Sequence, residues 1–260
     1  MKPIFPLILP HIAHAGSIIE SFKSSFSVTN KADESPVTEA DIQASAYLVK
    51  SIHELFPEDL VLSEEDLTDI DFSQRIWLID PLDGTKNFIK WEDTYSIMLS
   101  CVDHGVPILG IIYYPATWKI FIAEKSFGAY TWTCSQYEKI NISWKADLDN
   151  IKTIYKPSVT RFESTMKLIK EMEAFWSVQE LRPTGFVCTE ILEQKYDVLV
   201  LWGWNIYEIG AIDCLVNELG WFFGDLNGKR LEYVNGVLRF NYGCIATWSK
   251  DYLSKIPNII

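Results

Sequence analysis

The stretch Trp77-Leu-Ile-Asp80-Pro-Leu-Asp83-Gly84-Thr85-Lys-Asn87-Phe88 constrains this chain more than any other. Arg75 to Ile79 reads as a short buried strand, and it runs into two carboxylates three residues apart with a proline between them. Gly84-Thr85 follows at once, where a helix can begin. Upstream, Ser63-Glu64-Glu65-Asp66 closes a second apolar run, Leu60-Val61-Leu62. Carboxylates that leave strand ends together can converge on a hard cation, and Mg²⁺ is usually held by few protein carboxylates plus phosphate oxygens. The backbone N–H groups of a Gly-Thr turn at a helix start would then face the phosphate. Metal-assisted hydrolysis of a phosphate ester is the chemistry these parts suit.

Each piece also has a plainer reading. Glu64-Glu65-Asp66 before a polar stretch reads, taken alone, as a solvated loop. Asp80-Pro-Leu-Asp-Gly84 can be an ordinary turn, because Asp, Pro and Gly each favour turns for local reasons. Asp41 and Thr85, taken singly, can each be a helix cap. The combination, with strand-like runs before both acidic segments, favours a site, since turns that end buried strands commonly carry function.

Several spaced motifs make the chain recognisable. The Asp80–Thr85 segment resembles the metal-binding motif of the inositol monophosphatase family, the lithium-sensitive, Mg²⁺-dependent phosphatases. Asp33-Glu34-Ser35-Pro36-Val37-Thr38-Glu39-Ala40-Asp41 resembles the family's earlier motif. Leu62-Ser-Glu-Glu-Asp66, Lys86, Phe88-Ile-Lys90 and Asp103-His-Gly-Val-Pro-Ile-Leu-Gly110 are most similar to the CysQ-type 3′(2′),5′-bisphosphate nucleotidases. The resemblance covers most of residues 10–130 and thins beyond residue 150.

This resemblance implies a set of roles. Glu64, Asp80 and Asp83, with the backbone carbonyl of Leu82, match the family's metal ligands. Asp41 and Thr85 match the catalytic pair that orients and activates the attacking water, and Glu65 stands beside the ligands as a further catalytic candidate. Asp83, Gly84, Thr85 and Asn205 are the substrate-binding candidates, the Gly84 and Thr85 amides holding the phosphate. Mg²⁺ is the implied cofactor, with Mn²⁺ as a substitute and Li⁺ as an inhibitor. The implied partner is a small phosphorylated substrate, first a 3′-phosphorylated adenosine nucleotide and second an inositol or sugar phosphate, acted on by a cytoplasmic enzyme that forms a homodimer. The implied fold is α+β, a layered α/β/α/β/α sandwich of the inositol monophosphatase and fructose-1,6-bisphosphatase type. Residues 1–145 form its N-terminal half with the metal motifs, and residues 146–260 the substrate side of the cleft.

The second half departs from the pattern. The family's second metal motif reads Trp-Asp-x-Ala-Ala-Gly, whereas this chain has Trp204-Asn205-Ile206-Tyr207-Glu208-Ile209-Gly210. The acid has become an amide, which lacks the charge that recruits a divalent ion. Glu208, three positions on, either returns a carboxylate to the same side of the helix or, as the plainer reading, is solvated or salt-bridged. Arg182-Pro183-Thr184-Gly185-Phe186-Val187 stands where the nucleotidases carry Gly-Ser-Ser-Leu-Lys. A phosphatase with a reduced metal set and a changed pocket, or a pseudo-phosphatase that acts by binding, accounts for these changes. Trp202 and Trp204 flank the cleft, where packing is favoured over stacking on a nucleobase.

Composition sets the outer limits. At 260 residues, 48% of them hydrophobic and 22% charged, the chain can build one large core or two closely packed halves. A formal charge of −12 argues against a nucleic-acid polymer, which needs basic surface, but not against a small phosphate ester beside a bound cation. Cys101, Cys134, Cys188, Cys214 and Cys244 form no CxxC pair and read as reduced thiols rather than a zinc site. The apolar N-terminus, Lys2 to Pro10, is too short and proline-broken for a transmembrane segment and lacks a secretory pattern.

Periodicity predicts helices over 11–24 and 38–55, then strands over 95–102, 106–113, 118–123 and 129–133 as an antiparallel meander. Thr38 with Asp41 resembles a capping box at the second helix. Further on, strand Ile151–Lys156, helix Glu163–Met172, strand Val198–Leu201, helix Ile206–Leu219, strands Trp221–Phe223 and Gly243–Thr247, and a C-terminal helix are expected.

Overall fold

The computed structural model describes residues 2–31, 35–66, 70–133, 136–141, 151–157, 178–179, 182–248 and 251–252. The expected helix over 163–172, the expected C-terminal helix beyond residue 252, and Asp33, Glu34 and Cys134 lie outside the described residues.

Two helices open the chain. The first, α1 (Phe5–Ser21), starts six residues before the periodic pattern suggests and contains Pro10. Both carboxylate oxygens of buried Glu124 accept from the amides of Ile4 and Phe5, at 2.8–2.9 Å, which anchors a helix start that has no side-chain cap of its own. Strands β1 (Val28–Asn30) and β2 (Pro36–Thr38) form a small antiparallel pair, and β2 leads straight into α2 (Glu39–Leu55). The Thr38–Asp41 capping box is present, with the Thr38 amide donating to Asp41 at 2.8 Å.

A seven-stranded sheet follows: β3 (Leu60–Ser63), β4 (Arg75–Asp83), β5 (Ser96–Asp103), β6 (Val106–Tyr114), β7 (Lys119–Glu124), β8 (Gly128–Thr133) and β9 (Gln136–Lys139), in that spatial order. Only β3 and β4 are parallel; the rest form the expected meander, lengthened by β9. The strand expected over 75–79 continues to Asp83, because pairing with β5 resumes at Asp83 and Ser96 after an irregularity between Asp80 and Asp83. Pro81 lies within that irregularity, where its missing N–H costs no ladder bond. Helix α3 (Thr85–Ile89) begins immediately after Gly84.

The second sheet has the order β11 (Val178–Gln179), β10 (Thr153–Pro157), β12 (Val198–Asn205), β14 (Arg239–Thr247), β13 (Phe222–Asp225). Strands β10, β11 and β12 are parallel, and β14 is antiparallel to both its neighbours. Strand β12 reaches four residues beyond the expected Leu201, because Gly203, at φ +73°, takes up a register shift and lets Trp204 and Asn205 pair with β14 again. Helices α4 (Thr184–Leu192) and α5 (Ile206–Glu218) complete the described elements.

Strand alternation sorts the core into layers. Trp77 and Ile79 of β4 pack with Ile8, Ile12, Ala44 and Leu48 from α1 and α2. Ile76 and Leu78 point the other way, into a cluster with Val187 and Ile191 of α4, Ile209 and Ile212 of α5, and Leu199 and Leu201 of β12. Val198 and Val200 face the far side of the second sheet with Tyr155, Phe222, Ile245 and Tyr252. Helices, sheet, helices and sheet therefore stack in sequence, an α+β sandwich, and burying each such aliphatic side chain contributes about 1.5–3 kcal/mol. Gly210 lets α5 lie close on β5: a Cβ there would fall 2.3 Å from the Ser100 Oγ. Cys101, Cys188, Cys214 and Cys244 are buried free thiols. No helix among the described residues is long and apolar enough to cross a membrane.

Candidate metal and phosphate site

Parallel pairing of β3 and β4 places Ser63 level with Ile79, so Glu64 and Asp80 leave neighbouring strand ends together. The Glu64 amide still donates to the Ile79 carbonyl at 2.9 Å. Asp83 comes up beside Asp80, and the chain then turns into α3. Gly84 makes this turn, with φ +95°, and a Cβ there would lie 2.4 Å from Pro183 Cγ. No other residue type fits both the conformation and the space.

Three carboxylates converge. One oxygen each from Asp80, Asp83 and Glu208 lie within 4.8 Å of one another; Asp80 and Asp83 are buried, and Glu208 is half-buried beside them. Asp80 accepts one hydrogen bond, from the Leu82 amide at 3.1 Å. Asp83 accepts from the Thr184 amide at 3.0 Å and the Gly185 amide at 2.6 Å, and from Ser96 Oγ at 3.3 Å. The Arg182–Val187 segment thus holds an acidic side chain of the site through the start of α4. Glu208 accepts from Thr184 Oγ1 at 3.1 Å and from the Asn205 amide at 2.8 Å.

The expected water-activating pair is also in contact. Thr85 Oγ1 donates to Asp41 Oδ1 at 2.9 Å and lies 3.2 Å from the Leu82 carbonyl. The second Asp41 oxygen accepts from the amide and the hydroxyl of Thr38, at 2.8 and 2.6 Å. Asp41 therefore both takes part in the capping box of α2 and accepts from Thr85.

Glu64 and Glu65 are held differently. The Lys31 ammonium bridges them, 2.6 Å from Glu64 and 2.7 Å from Glu65. Burial works against the charge of Lys31, but Glu64 and Glu65 outweigh it and hold its pKa above the usual lysine range. Glu64 thus has a protein cation as partner and lies outside the tight carboxylate trio.

Asn205 forms the N-cap of α5 in a reciprocal capping box with Glu208, so its side chain serves the helix start. Trp202 and Trp204 pack into hydrophobic clusters, which is the packing reading of these indoles. The Lys156 ammonium lies 5.2 Å from the centre of the Trp204 ring. Tyr207 is partly buried against the central core.

The electrostatics follow from burial. Asp80 is pushed well above the usual carboxylate range by burial, then by Glu64, Asp83 and Glu208. Burial also raises Asp83, against the pull of Lys156 and the two amides. Glu208 is raised to about 8 by burial, with Asp83 next in importance. Burial raises Asp41 against its hydrogen bonds from Thr38 and Thr85, and raises Glu65 against Lys31. At a separation of 4.8 Å, two like charges repel by about 3–4 kcal/mol at an effective dielectric near 20. A hard divalent cation reverses that term for every pair, and the donors are all oxygens. The residues present therefore fit Mg²⁺.

Comparison with known proteins agrees with this geometry. The model of the inositol monophosphatase family matches residues 9–255, and the chain belongs to that family. A 3′(2′),5′-bisphosphate nucleotidase CysQ from Aggregatibacter actinomycetemcomitans is 30% identical over 217 residues, 82% of this chain and 80% of the relative. A fructose-1,6-bisphosphatase/inositol-1-monophosphatase from Thermotoga maritima is 29% identical over 225 residues, 85% of this chain and 82% of the relative. The solved structure of a Thermotoga maritima IMPase superposes with a TM-score of 0.76 at 26% identity, covering 97% of this chain and 94% of the other. The protein is thus an enzyme of the phosphatase class with the inositol monophosphatase fold.

Lys31 and the Thr184–Gly185 amides were not among the residues the sequence pointed to, and Glu208 was pointed to with a plainer reading beside it. For Glu208 the signal was present: Asn205 followed by Glu three positions on is a capping box, which fixes the glutamate's direction. Its plainer reading as a solvated or salt-bridged group is corrected, because Glu208 sits in the carboxylate trio. Lys31 and the α4 amides come from distant segments and leave no local pattern.

Proposed function

We propose that this chain hydrolyses a small phosphomonoester with Mg²⁺, and that a 3′-phosphorylated adenosine nucleotide is the leading substrate class. The observation that carries the reading is the 2.9 Å hydrogen bond from Thr85 to Asp41 beside the buried carboxylates. Asp80, Asp83 and the Leu82 carbonyl, with Glu64 when it leaves Lys31, would hold the cation. When bound, Mg²⁺ supplies charge that polarises the phosphoryl group and acidifies a water.

The chain's own residues do the rest. Thr85 directs its hydroxyl proton toward Asp41, which leaves the oxygen's lone pairs to accept a hydrogen bond from a water. Asp41, raised by burial and still an acceptor for three donors, takes up the proton that the water loses. The amides of Gly84 and Thr85 bind the phosphate at the start of α3, and Glu65 shares the Lys31 ammonium with Glu64. Burial of the carboxylates limits the water available for unproductive exchange.

The CysQ relative supports the nucleotide substrate, and the Thermotoga relative, of nearly equal identity, favours an inositol or sugar phosphate as the second reading. Mn²⁺ serves as a substitute cation and Li⁺ as an inhibitor in this reading, and the enzyme acts in the cytoplasm as a homodimer. A panel of 3′-phosphoadenosine nucleotides, inositol phosphates and sugar phosphates, assayed with Mg²⁺ for phosphate release, tests it. Turnover is expected on at least one compound, best on a 3′-phosphonucleotide. A panel that stays inert while one compound binds tightly would establish the pseudo-phosphatase instead.

A further inference from the structure

We propose that Glu208 supplies the acid that position 205 lacks, so that Asp80, Asp83 and Glu208 together hold one divalent cation. In this arrangement ligand and helix cap have exchanged places within one turn of α5. The assignment rests on the reading of this site as a metal-dependent phosphatase centre and deepens it by one residue.

Three observations support the exchange. Asn205 has the extended backbone of an N-cap, with φ −75° and ψ 152°, and its side chain is turned to the Glu208 amide. A neutral amide used in this way brings no charge to the site. Glu208, at the third helical position, is directed back by the Asn205 amide and the Thr184 hydroxyl, and reaches within 4.8 Å of the Asp80 and Asp83 oxygens.

The balance of charge is the third. Lys31 neutralises Glu64 and Glu65; among the described residues no ion pair reaches Asp80 or Glu208, while the charge of Lys156 bears on Asp83. Asp80 is 2% exposed, and the one hydrogen bond it accepts among the described residues, from Leu82, uses one oxygen only. Three facing acids, with Lys156 bearing on one of them, keep an excess of negative charge that a bound divalent cation would offset. The amides of the first turn of α5 add a favourable positive end for the Glu208 carboxylate.

The test is Mn²⁺ binding to the purified full chain, followed by calorimetry and by the loss of the free-ion paramagnetic resonance signal. The parent, Asp80→Asn, Glu208→Gln and Asn205→Asp are compared. Glu208→Gln and Asp80→Asn are both expected to lose a bound ion or weaken it at least tenfold. Asn205→Asp, an equally good N-cap, is expected to stay within twofold of the parent, because its side chain points at the helix. Thermal unfolding in chelator checks that Glu208→Gln folds, and its melting temperature should then fail to rise with Mn²⁺. If it does not fold, Glu208→Asp, which keeps the charge but shortens the reach, decides by the same titration. Parent-like binding by Glu208→Gln, with binding lost in Asp80→Asn, overturns the role of Glu208 alone. Parent-like binding by both variants, or no binding by the parent, overturns the metal reading as well.

Discussion

Replacing Thr85 by alanine isolates the chemical step in the proposed function from metal binding. The hydroxyl donates to Asp41 at 2.9 Å, and its removal takes away one of three hydrogen bonds that Asp41 accepts. A hydrogen bond to a charged group contributes about 1.5–3 kcal/mol, so stability should fall by no more than that, since Thr38 still holds Asp41 in place. The rate should suffer more. A positioned acid–base pair contributes about 10²–10⁴-fold, and with each tenfold equal to about 1.4 kcal/mol this is about 3–5 kcal/mol of barrier. Phosphate release at saturating substrate and Mg²⁺ should therefore drop by at least about a hundredfold in kcat, with a smaller change in KM. Thr85→Ser keeps the hydroxyl and should retain activity within about tenfold. A folded Thr85→Ala protein that keeps more than about a tenth of the parent kcat would falsify the water-activating role.

Other outcomes follow from the same geometry. Gly84→Ala forces a side chain into a left-handed conformation and against Pro183, so it should lower stability by about 1–2 kcal/mol or more, read as a fall in melting temperature. Glu124→Ala leaves the Ile4 and Phe5 amides without their acceptor and should cost about 1–3 kcal/mol; an unchanged denaturation midpoint would refute that anchoring role. Glu208 and Asp213 are raised by burial to about 8 and about 7, above their unfolded values of 4.5 and 3.8. The folded chain therefore holds protons that the unfolded chain has released, so the stability from Asp213 is full below pH 3.8 and lost as pH rises through about 7, and that from Glu208 is full below pH 4.5 and lost as pH rises through about 8. Melting curves in chelator should fall across that window, and Mn²⁺ should restore stability most at its upper end; a chelated melting temperature that rises from pH 5 to 8 would contradict this.

Local sequence carried much of the N-terminal half. The Thr38–Asp41 box, the β4 run into Asp80, and the Gly84-Thr85 turn are each set by neighbours within a few residues, and the structure has them as read. Where local pattern misled, a distant residue had intervened. Glu124 lies more than a hundred positions from the α1 amides that it caps, and β14 extends β12 past the expected end. The same holds for the site. Asp80, Asp83 and Thr85 were legible because they share one turn, whereas Lys31 and the α4 amides reach the carboxylates only through the fold. Glu208 lies between the two cases: the pattern that aims it spans four residues, but whether it meets the carboxylates or the solvent depends on β4 and the turn after it.

The most direct test of the central claim compares Asp80→Asn with the parent in phosphate release from a 3′-phosphoadenosine nucleotide across a Mg²⁺ titration. Asp80 is buried, lies in the carboxylate trio and, among the described residues, accepts a hydrogen bond from Leu82 alone. The account predicts Mg²⁺-dependent turnover by the parent and none above background for Asp80→Asn at any Mg²⁺ concentration. Equal turnover by the two proteins at the same Mg²⁺ concentration would contradict it.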